Sequence, residues 1–164
     1  MEAYAEPSMR QLTLLALVGT STVAHAADLY VCKDAITCSL SVECADDPGA
    51  CYRSIGAAIG DASDADNIFL SDETYDESLT LSGRAPDDLT ILGDGMGQTI
   101  VRGTTTENTV FIEDHNVSFY DLTITRNSDN RRGLRVSGGN VLLERVAVSG
   151  LRRSQGAGMD ISGG

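Results

Sequence analysis

Short apolar-x-apolar segments return at a nearly constant spacing through the second half of this chain. Val110-Phe111-Ile112 comes back 24 positions later as Leu134-Arg135-Val136, and 25 positions after that as Met159-Asp160-Ile161. The segments 116–124 and 140–148 repeat each other in the same way. Three short strands per period are typical of a β-solenoid, in which each strand forms one side of a coil. The pattern therefore predicts an all-β fold, a parallel β-helix.

Alternation within each strand predicts which side chains face the interior. Phe111, Arg135 and Asp160 form an outward column, and a period of two rather than 3.6 argues against an amphipathic helix. Asn116 and Asn140 hold the same position in consecutive periods, so we expect a ladder that hydrogen-bonds the turn backbone. The inward set is Val110, Ile112, Val117, Phe119, Leu122, Ile124, Leu134, Val136, Val141, Leu143, Val146, Val148, Met159 and Ile161.

A short helix is predicted before the strands. Ser54 is placed to cap its N-terminus, and its glycines weaken it in isolation, so we expect it to dock on one end of the strand stack. The mature chain then divides into a cysteine-containing cap with its helix, 27–62, and the β-helix coils, 63–164. The apolar residues within 52–62 recur at the spacing of one helix face: Ile55, Ala58, Ile59 and Ala62.

Residues 1–26 have the pattern of upstream residues followed by a signal peptide. Met9-Arg10 supplies a short positively charged n-region. Residues 12–18 form an apolar run too short to span a membrane, and Ala24-His25-Ala26 matches an A-x-A cleavage site. A buried apolar helix is the alternative, but it leaves the small-residue end unexplained. We expect a secreted or cell-surface protein with no transmembrane segment in its mature chain.

All four cysteines, Cys32, Cys38, Cys44 and Cys51, follow shortly after this cleavage site. An even number in an exported, loop-rich segment indicates two disulfides, with three connectivities open. A zinc site is the alternative. It is disfavoured because the gaps of five, five and six residues lack the C-x2-C spacing of zinc knuckles.

The formal net charge of −12 is spread unevenly. Residues 27–125 carry nineteen acidic side chains against four basic ones, whereas 126–153 carry seven arginines against two acidic side chains. An acidic body argues against nucleic acid as the partner, because phosphate contacts dominate that affinity. The basic stretch is a candidate surface for an extracellular polysaccharide or a surface protein.

Arginines and one aspartate of the late repeats form the candidate binding set. Arginine forks suit carboxylate or sulfate groups of a glycan, and a solvated face is the alternative. Arg135 and Asp160 are one coil apart on the outward column. Such a pair could supply the acid and base of a polysaccharide enzyme, and the alternative is a solvent-exposed cross-strand ion pair. The candidate glycan-binding residues are Arg126, Arg131, Arg132, Arg135, Arg152, Arg153 and Asp160.

No cofactor is expected, although one acidic cluster could bind calcium, a cation that prefers several oxygen ligands. The spacing of the cluster matches no EF-hand loop and suits turns equally well. His115, beside Asp114 at a strand end, is predicted to be a surface residue at a corner, and no Ser-His-Asp or Cys-His set is found in the sequence. The cluster consists of Asp61, Asp64, Asp66, Asp72 and Glu73.

Several motifs within 66–103 resemble the N-terminal coil of the pectin-lyase-like superfamily, pectinesterases above all. The resemblance implies a right-handed parallel β-helix. Glu73 departs from it, because that family has Gly before the Thr-Tyr pair. The residues that carry the likeness are Asp66-Asn67-Ile68, Thr74-Tyr75-Asp76-Glu77, Leu92-Gly93-Asp94-Gly95 and Thr99-Ile100-Val101-Arg102-Gly103.

The same resemblance implies esterase chemistry by two Asp, an Arg and Gln side chains, but those residues do not carry over. The coil beginning at Gly133 lacks the family's Gln, and Ser149-Gly150-Leu151-Arg152 stands where Gln-Asp-Thr would follow the glycine. No catalytic residue is therefore expected in this chain. Ser137-Gly138-Gly139-Asn140 and Gly156-Ala157-Gly158-Met159 resemble the Gly-rich β-helix repeats of bacterial surface proteins.

Two functions follow from these patterns. The first is a secreted, non-catalytic β-helix scaffold that binds extracellular glycans or partner proteins. The second is the N-terminal part of a carbohydrate-active enzyme, pectinesterase-like or polysaccharide lyase-like, that acts on acidic polysaccharide. The last strand ends just before Gly163-Gly164 with nothing to cap it. The fold is thus expected to be truncated, with further coils or end-to-end assembly at that edge.

Overall fold

The computed structural model describes residues 26–33, 40–104, 108–126, 132–149 and 158–162. Most of the predicted signal peptide, together with Cys38, Arg131, Arg152 and Arg153, lies outside the described residues. Within them, no helix has the length and apolar character needed to cross a membrane.

The described residues form mostly β structure with two short α-helices. The strands are β1 (Asp28–Val31), β2 (Cys51–Tyr52), β3 (Asn67–Leu70), β4 (Thr74–Asp76), β5 (Leu79–Leu81), β6 (Leu89–Leu92), β7 (Ile100–Gly103), β8 (Val110–Glu113), β9 (Val117–Arg126), β10 (Leu134–Ser137), β11 (Val141–Val148) and β12 (Met159–Ser162). The helices are α1 (Ser41–Asp46) and α2 (Ile55–Asp61).

All strand pairs are parallel and fall into three stacks. The first stack contains β2, β1, β3, β6 and the first halves of β9 and β11. The second contains β4, β7 and the second halves of β9 and β11. The third contains β5, β8, β10 and β12. Such parallel stacks are compatible with the predicted parallel β-helix.

β9 and β11 each run through two stacks because each bends at one residue with left-handed backbone. Asp121 has a φ of 54° and Arg145 a φ of 52°, conformations that L residues seldom adopt. These two residues lie 24 positions apart, and the guanidinium of Arg145 donates from Nε to Asp121 Oδ1 at 2.6 Å and from Nη2 to Oδ2 at 2.8 Å. The bidentate pair therefore joins the two bends across neighbouring coils.

The predicted interior is confirmed for the first two regular periods. Val110, Ile112, Val117, Phe119, Leu122, Ile124, Leu134 and Val136 are each exposed by 2% or less. The last period differs: Val141, Leu143, Val146, Val148 and Met159 are only half-buried, and Ile161 is 66% exposed. The alternation is the same, but β11 and β12 lie at the end of the stacks. Within the described residues, nothing packs over their inward side chains.

The asparagine ladder is confirmed and is longer than predicted. Asn140 donates from its backbone N and from Nδ2 to Asn116 Oδ1, at 3.1 and 2.8 Å. The backbone N of Asn116 donates in turn to Asp87 Oδ1 at 2.5 Å, and the backbone N of Asp87 donates to Asp64 Oδ1 at 2.8 Å. Three side chains, those of Asp64, Asp87 and Asn116, thus accept backbone N–H groups along one corner.

Helix α2 covers the N-terminal end of the stacks, as predicted. Ser54 accepts a hydrogen bond from Ala57 N at 3.2 Å, which confirms it as the N-cap. Glu77 accepts from Ile55 N and Gly56 N at 2.9 and 3.0 Å. The helix packs against β1, β2, β3 and β5, with Ile55, Ala58 and Ile59 buried. A seven-residue helix with two glycines is therefore held by its docking and by its caps.

The segment expected to be an irregular cap is more ordered than predicted. β1 lies between β2 and β3 and extends the first stack, with Leu29 and Val31 buried. The disulfide Cys44–Cys51 ties α1 to the start of β2. Cys32 is disulfide-bonded as well. Of the three connectivities left open by the sequence, only one contains Cys44–Cys51.

His115 is buried, with 8% exposure, and the prediction of a surface residue was wrong. The next coil passes over it as Gly138-Gly139, at φ values of 91° and 77°. A Cβ on Gly139 would overlap the backbone of His115. Two glycines therefore let the following turn lie directly on the histidine, a close approach that the strand pattern does not reveal.

Candidate functional site

The outward side of the third stack gathers most of the described candidate residues. The inward residues of β5, β8 and β10 are buried and apolar, so the residue between them must point outward, and Asp160 of β12 continues the same register. One outward row runs Thr80, Phe111, Arg135, Asp160, in the register that the 24- and 25-residue spacings predict. A second row holds Glu113, Ser137 and Ser162. These rows and Arg132, just before β10, are called the arginine face.

Arg135 lies over an aromatic ring. Its Cζ is 5.4 Å from the centroid of Phe111, the outward residue of the preceding strand. A guanidinium in this position is attracted to the negative face of the ring. Its Nε is buried and has no hydrogen-bond partner among the described residues. The ring holds the cation in place while part of its hydrogen-bonding capacity stays unused.

Asp160 forms its ion pair with Arg132, not with the arginine that the register places beside it. Arg132 Nη1 lies 2.9 Å from Asp160 Oδ2, and the two side chains are 41% and 32% exposed. Arg135 is opposite Asp160 on the neighbouring strand, but its guanidinium turns back toward Phe111. The predicted Arg135–Asp160 juxtaposition is thus present in the backbone, with a different side-chain partner for the aspartate.

The remaining arginines divide by position. Arg126 ends β9 opposite Gly103, in the second stack. Arg145 lies within the basic stretch but is not one of the candidate glycan-binding residues. Asp121 and Glu144 engage it and raise the pKa of its guanidinium. The same contact lowers the pKa of Asp121. The structure therefore brings together Arg132, Arg135 and Asp160, whereas Arg145 is occupied at a corner.

The arginine face suits recognition of an anion better than acid–base chemistry. Its carboxylates are Asp160, which is paired with an arginine, and Glu113, which lies two strands away. General acid catalysis needs a carboxyl group whose proton is retained near neutral pH, usually through burial. Asp160 is instead one-third exposed and forms an ion pair with Arg132. Two arginines and a ring, by contrast, match carboxylate or sulfate groups on a sugar.

The acidic cluster proposed as a calcium site has structural partners. Asp66 is buried and accepts from Ala27 N and Ser63 N, both at 2.7 Å. Asp64 belongs to the corner ladder, and Glu73 accepts from Lys33 N at 2.7 Å. The described residues contain no group of three or more potential ligands placed to hold a metal ion.

A second charged network was not foreseen from the sequence. On the outward side of the second stack, Arg102 Nε is 2.5 Å from Asp76 Oδ1, and Lys33 Nζ is 3.8 Å from Asp76 Oδ2. The hydrogen bond from Arg102 is the main cause of a lowered pKa at Asp76. The signal was available in the 26-residue separation of Asp76 and Arg102, which is close to one period. The charged groups of Lys33, Asp76 and Arg102 already form ion pairs with one another. The network is therefore a less suitable ligand site than the arginine face.

A concave surface is found elsewhere on the molecule. An open hollow of about 390 Å³ is bordered by Asp88, Asn116, Ser118, Asn140 and Leu142, among others. The amide side chains on its border already hydrogen-bond within the corner ladder. The hollow therefore offers fewer free polar groups than the arginine face does.

Comparison of the chain with protein-family models and with curated protein sequences finds no match.

Proposed function

We propose that this chain is an exported, right-handed parallel β-helix whose arginine face binds an anionic extracellular polysaccharide. It acts as a scaffold and performs no catalysis on that ligand. The three parallel stacks and the capped N-terminal end support the β-helix, and the resemblance within 66–103 supports its handedness. The disulfide Cys44–Cys51 supports export, because such bonds persist in oxidising compartments.

The observation that carries the binding proposal is the state of Arg135. Its cation is fixed over Phe111, so little side-chain entropy is lost when a ligand binds. Arg135 is half-buried and its Nε is not exposed, so a ligand meets the remaining, accessible part of its guanidinium. Arg132 and the hydroxyls of Ser137 and Ser162 lie on the same face. A uronate-rich chain offers carboxylates for the arginines and hydroxyls for the serines.

The test is a binding titration with de-esterified polygalacturonate, and with a neutral galactan for comparison. We expect Arg135→Gln to weaken binding about tenfold, which corresponds to about 1.4 kcal/mol. Phe111→Leu keeps an apolar side chain but removes the ring, so a loss of about two- to threefold is expected. Arg84→Gln is the matched control, because Arg84 is exposed in the turn after β5. Its affinity should equal that of the parent chain.

Two outcomes would overturn the binding proposal. One is equal affinity for the charged and the neutral polysaccharide, and the other is an equal loss with Arg135→Gln and Arg84→Gln. A further assay tests the enzymatic alternative, for which the outward carboxylate of Asp160 is the candidate acid. Turnover of esterified or de-esterified pectin that disappears in Asp160→Asn would replace the scaffold by an enzyme.

A further inference from the structure

The outward side of the first stack carries two parallel rows of side chains. The inward residues of β1, β3, β6 and the first half of β9 are buried and apolar, so the alternate residues point outward. The register of these strands aligns their outward residues from one coil to the next. One line, called the apolar row, is Tyr30, Phe69, Leu92 and Tyr120, and the other, called the polar row, is Asp28, Asn67, Thr90 and Ser118.

The apolar row is an accessible strip of carbon atoms along the stack. Each of its side chains is half-buried and keeps part of its surface exposed. Tyr30 and Phe69 stack on each other, with ring centroids 5.5 Å apart and an interplanar angle of 23°. Stacking restrains these rings, so they lose little side-chain freedom when a ligand binds. An apolar strip bordered by polar residues is typical of an interaction surface.

Both rows repeat at the spacing of the strands. Neighbouring parallel strands lie about 4.8 Å apart, which is close to the length of one sugar unit in an extended polysaccharide. Each strand therefore offers one apolar and one polar side chain to each sugar of a chain that lies along the stack. The two rows are separated by two residues of a strand, or about 7 Å. This separation suits a sugar whose C–H face contacts the apolar row and whose hydroxyl edge contacts the polar row.

The charges around the apolar row disfavour a negatively charged ligand. Neither row contains a basic side chain, and Glu144 continues the apolar row on β11. At the other end of the row, burial raises the pKa of the Tyr30 hydroxyl, and nearby carboxylates raise it further: Asp28, Glu43 and Asp47. The same carboxylates would repel a uronate or a sulfated sugar. This side of the molecule therefore differs from the arginine face and suits an uncharged chain.

A protein partner fits the two rows less well than a sugar does. The backbone groups of β3, β6 and β9 already pair with one another, so no further strand can be added on this side. An apolar partner would bury the hydroxyls of Thr90 and Ser118 without a hydrogen bond, which is costly. Sugar hydroxyls can donate to these oxygens and accept from them. The hollow of about 390 Å³ that Ser118 and Leu142 border adds a concave surface beside the polar row.

We propose that the outward side of the first stack binds an uncharged, extended polysaccharide of the cellulose type, with the sugar chain lying along the apolar row. The glucose units of such a chain hold all their hydroxyls equatorially, so each unit presents a flat C–H face. A galactan does not fit in this way, because each of its units carries an axial oxygen. The site lies on a different stack from the arginine face, and the proposal does not depend on what the arginine face binds.

The test is a calorimetric titration with cellohexaose. We expect Tyr120→Ala to weaken binding about fivefold or more, because the ring contact is lost, and Tyr120→Phe, which keeps the ring, to weaken it about twofold or less. Thr90→Val keeps the branched shape but removes the hydroxyl, so a loss of about two- to threefold is expected. Met96→Ala is the matched control, because Met96 is an exposed apolar residue outside both rows. Its affinity should equal that of the parent chain.

Circular dichroism and thermal unfolding of each variant distinguish a lost site from a lost fold, and Thr90→Val decides if Tyr120→Ala does not fold. Polygalacturonate should not displace cellohexaose, because the arginine face lies on the third stack. Displacement would overturn the proposal of a separate site.

Three further outcomes would overturn the proposal. The first is a parent chain that shows no binding at about 10 mM cellohexaose, or that binds the neutral galactan equally well. The second is an equal loss of affinity in Tyr120→Ala and Met96→Ala. The third is self-association of the parent chain that Tyr120→Ala abolishes, because the apolar row would then be a contact between protein copies.

Discussion

The two ends of the strand stacks complete the same kind of edge in different ways. At the N-terminal end, α2 covers the stacks and its apolar face is buried, with Ile55 and Ala58 at 0% exposure. At the C-terminal end, the described residues provide no such cover, and the inward side chains of β11 are half-buried. Burial at either end therefore depends on what lies over the last coil, and the inward pattern within that coil decides only which side chains are available.

The covered end also satisfies its polar groups with dedicated side chains. Glu77 accepts from two backbone N–H groups at the start of α2, and Ser54 accepts from a third. Without such partners, the first N–H groups of a buried helix would have no hydrogen-bond acceptor, which costs free energy. At the C-terminal end, the corner ladder extends among the described residues as far as Asn140, which is exposed. Covering an end of parallel strands thus requires side chains placed to accept the helix N–H groups, whereas extending the stack requires only another repeat of the strand pattern.

The largest expected effect comes from truncating the same residue type in the middle and at the C-terminal end. Leu122 is fully buried in β9, and Leu143 is half-buried in β11. We expect Leu122→Ala to lower the free energy of unfolding by about 2–5 kcal/mol, because it leaves a cavity in a close-packed interior. Leu143→Ala should cost about half as much or less, because fewer contacts and less burial are lost. Urea unfolding at low protein concentration measures both.

Low protein concentration keeps any self-association from contributing to the stability of either variant. The m-values of the two variants and the parent should agree, since the surface exposed on unfolding is nearly unchanged. Equal losses at Leu122 and Leu143 would mean that the last coil is as well covered as the interior.

Much of the fold could be predicted because the strand pattern is local and repeats. The register of β8, β10 and β12 follows from spacings of 24 and 25 residues, and the corner ladder follows from the same phase. The position of β1 could not be predicted in this way, because a single strand has no repeat to align it. The continuity of β9 was missed because the alternation shifts at Asp121, whose left-handed backbone bends the strand without ending it.

The candidate site was predictable in its backbone and less so in its side chains. Register alone places Arg135 beside Phe111 and Asp160. Which neighbour the guanidinium selects depends on several rotatable bonds at a partly exposed position, where alternation sets no preference. Arg132 reaches Asp160 from the turn before β10, outside the strand pattern. Sequence periodicity thus defines rows of residues, and local packing decides the pairs.

A smaller effect is expected from the cap of the covered end. Glu77→Ala removes the acceptor of two N–H groups at the start of α2, which lie 2.9 and 3.0 Å from its oxygens. We expect a loss of about 1–3 kcal/mol in the free energy of unfolding, because the acceptor is charged and faces a helix N-terminus. Glu113→Ala, on an exposed outward position, is the matched control and should stay within about 0.5 kcal/mol of the parent.

Urea unfolding of the two glutamate variants again supplies the measurement. Hydrogen exchange adds a local test, since the amides of Ile55 and Gly56 should exchange faster in Glu77→Ala. Unchanged exchange together with unchanged stability would show that docking alone holds α2. The covered end would then rely on apolar packing just as the interior does.

The smallest effect concerns pH and the corner ladder that connects the two ends. Asp87 has a lowered pKa, chiefly because its carboxylate accepts from the backbone N of Asn116 at 2.5 Å. A carboxyl group with a lower pKa in the folded state stabilises the fold above its unfolded pKa of about 4. That contribution is lost as the pH falls through the folded pKa. We therefore expect Asp87→Asn to be less stable at pH 7 by up to about 1 kcal/mol.

The difference between Asp87→Asn and the parent chain should shrink below pH 4, because the parent's own carboxylate becomes protonated there. Asp76 and Asp121 also have lowered pKa values, through Arg102 and Arg145, so both proteins should lose stability in acid. The informative quantity is thus the gap between them, from thermal unfolding at pH 7 and pH 3. Asn140→Ala at the C-terminal end of the ladder removes only neutral hydrogen bonds, so its deficit should not depend on pH. A gap for Asp87→Asn that is equally constant would mean that charge at Asp87 contributes nothing, and that the ladder is uniform from one end to the other.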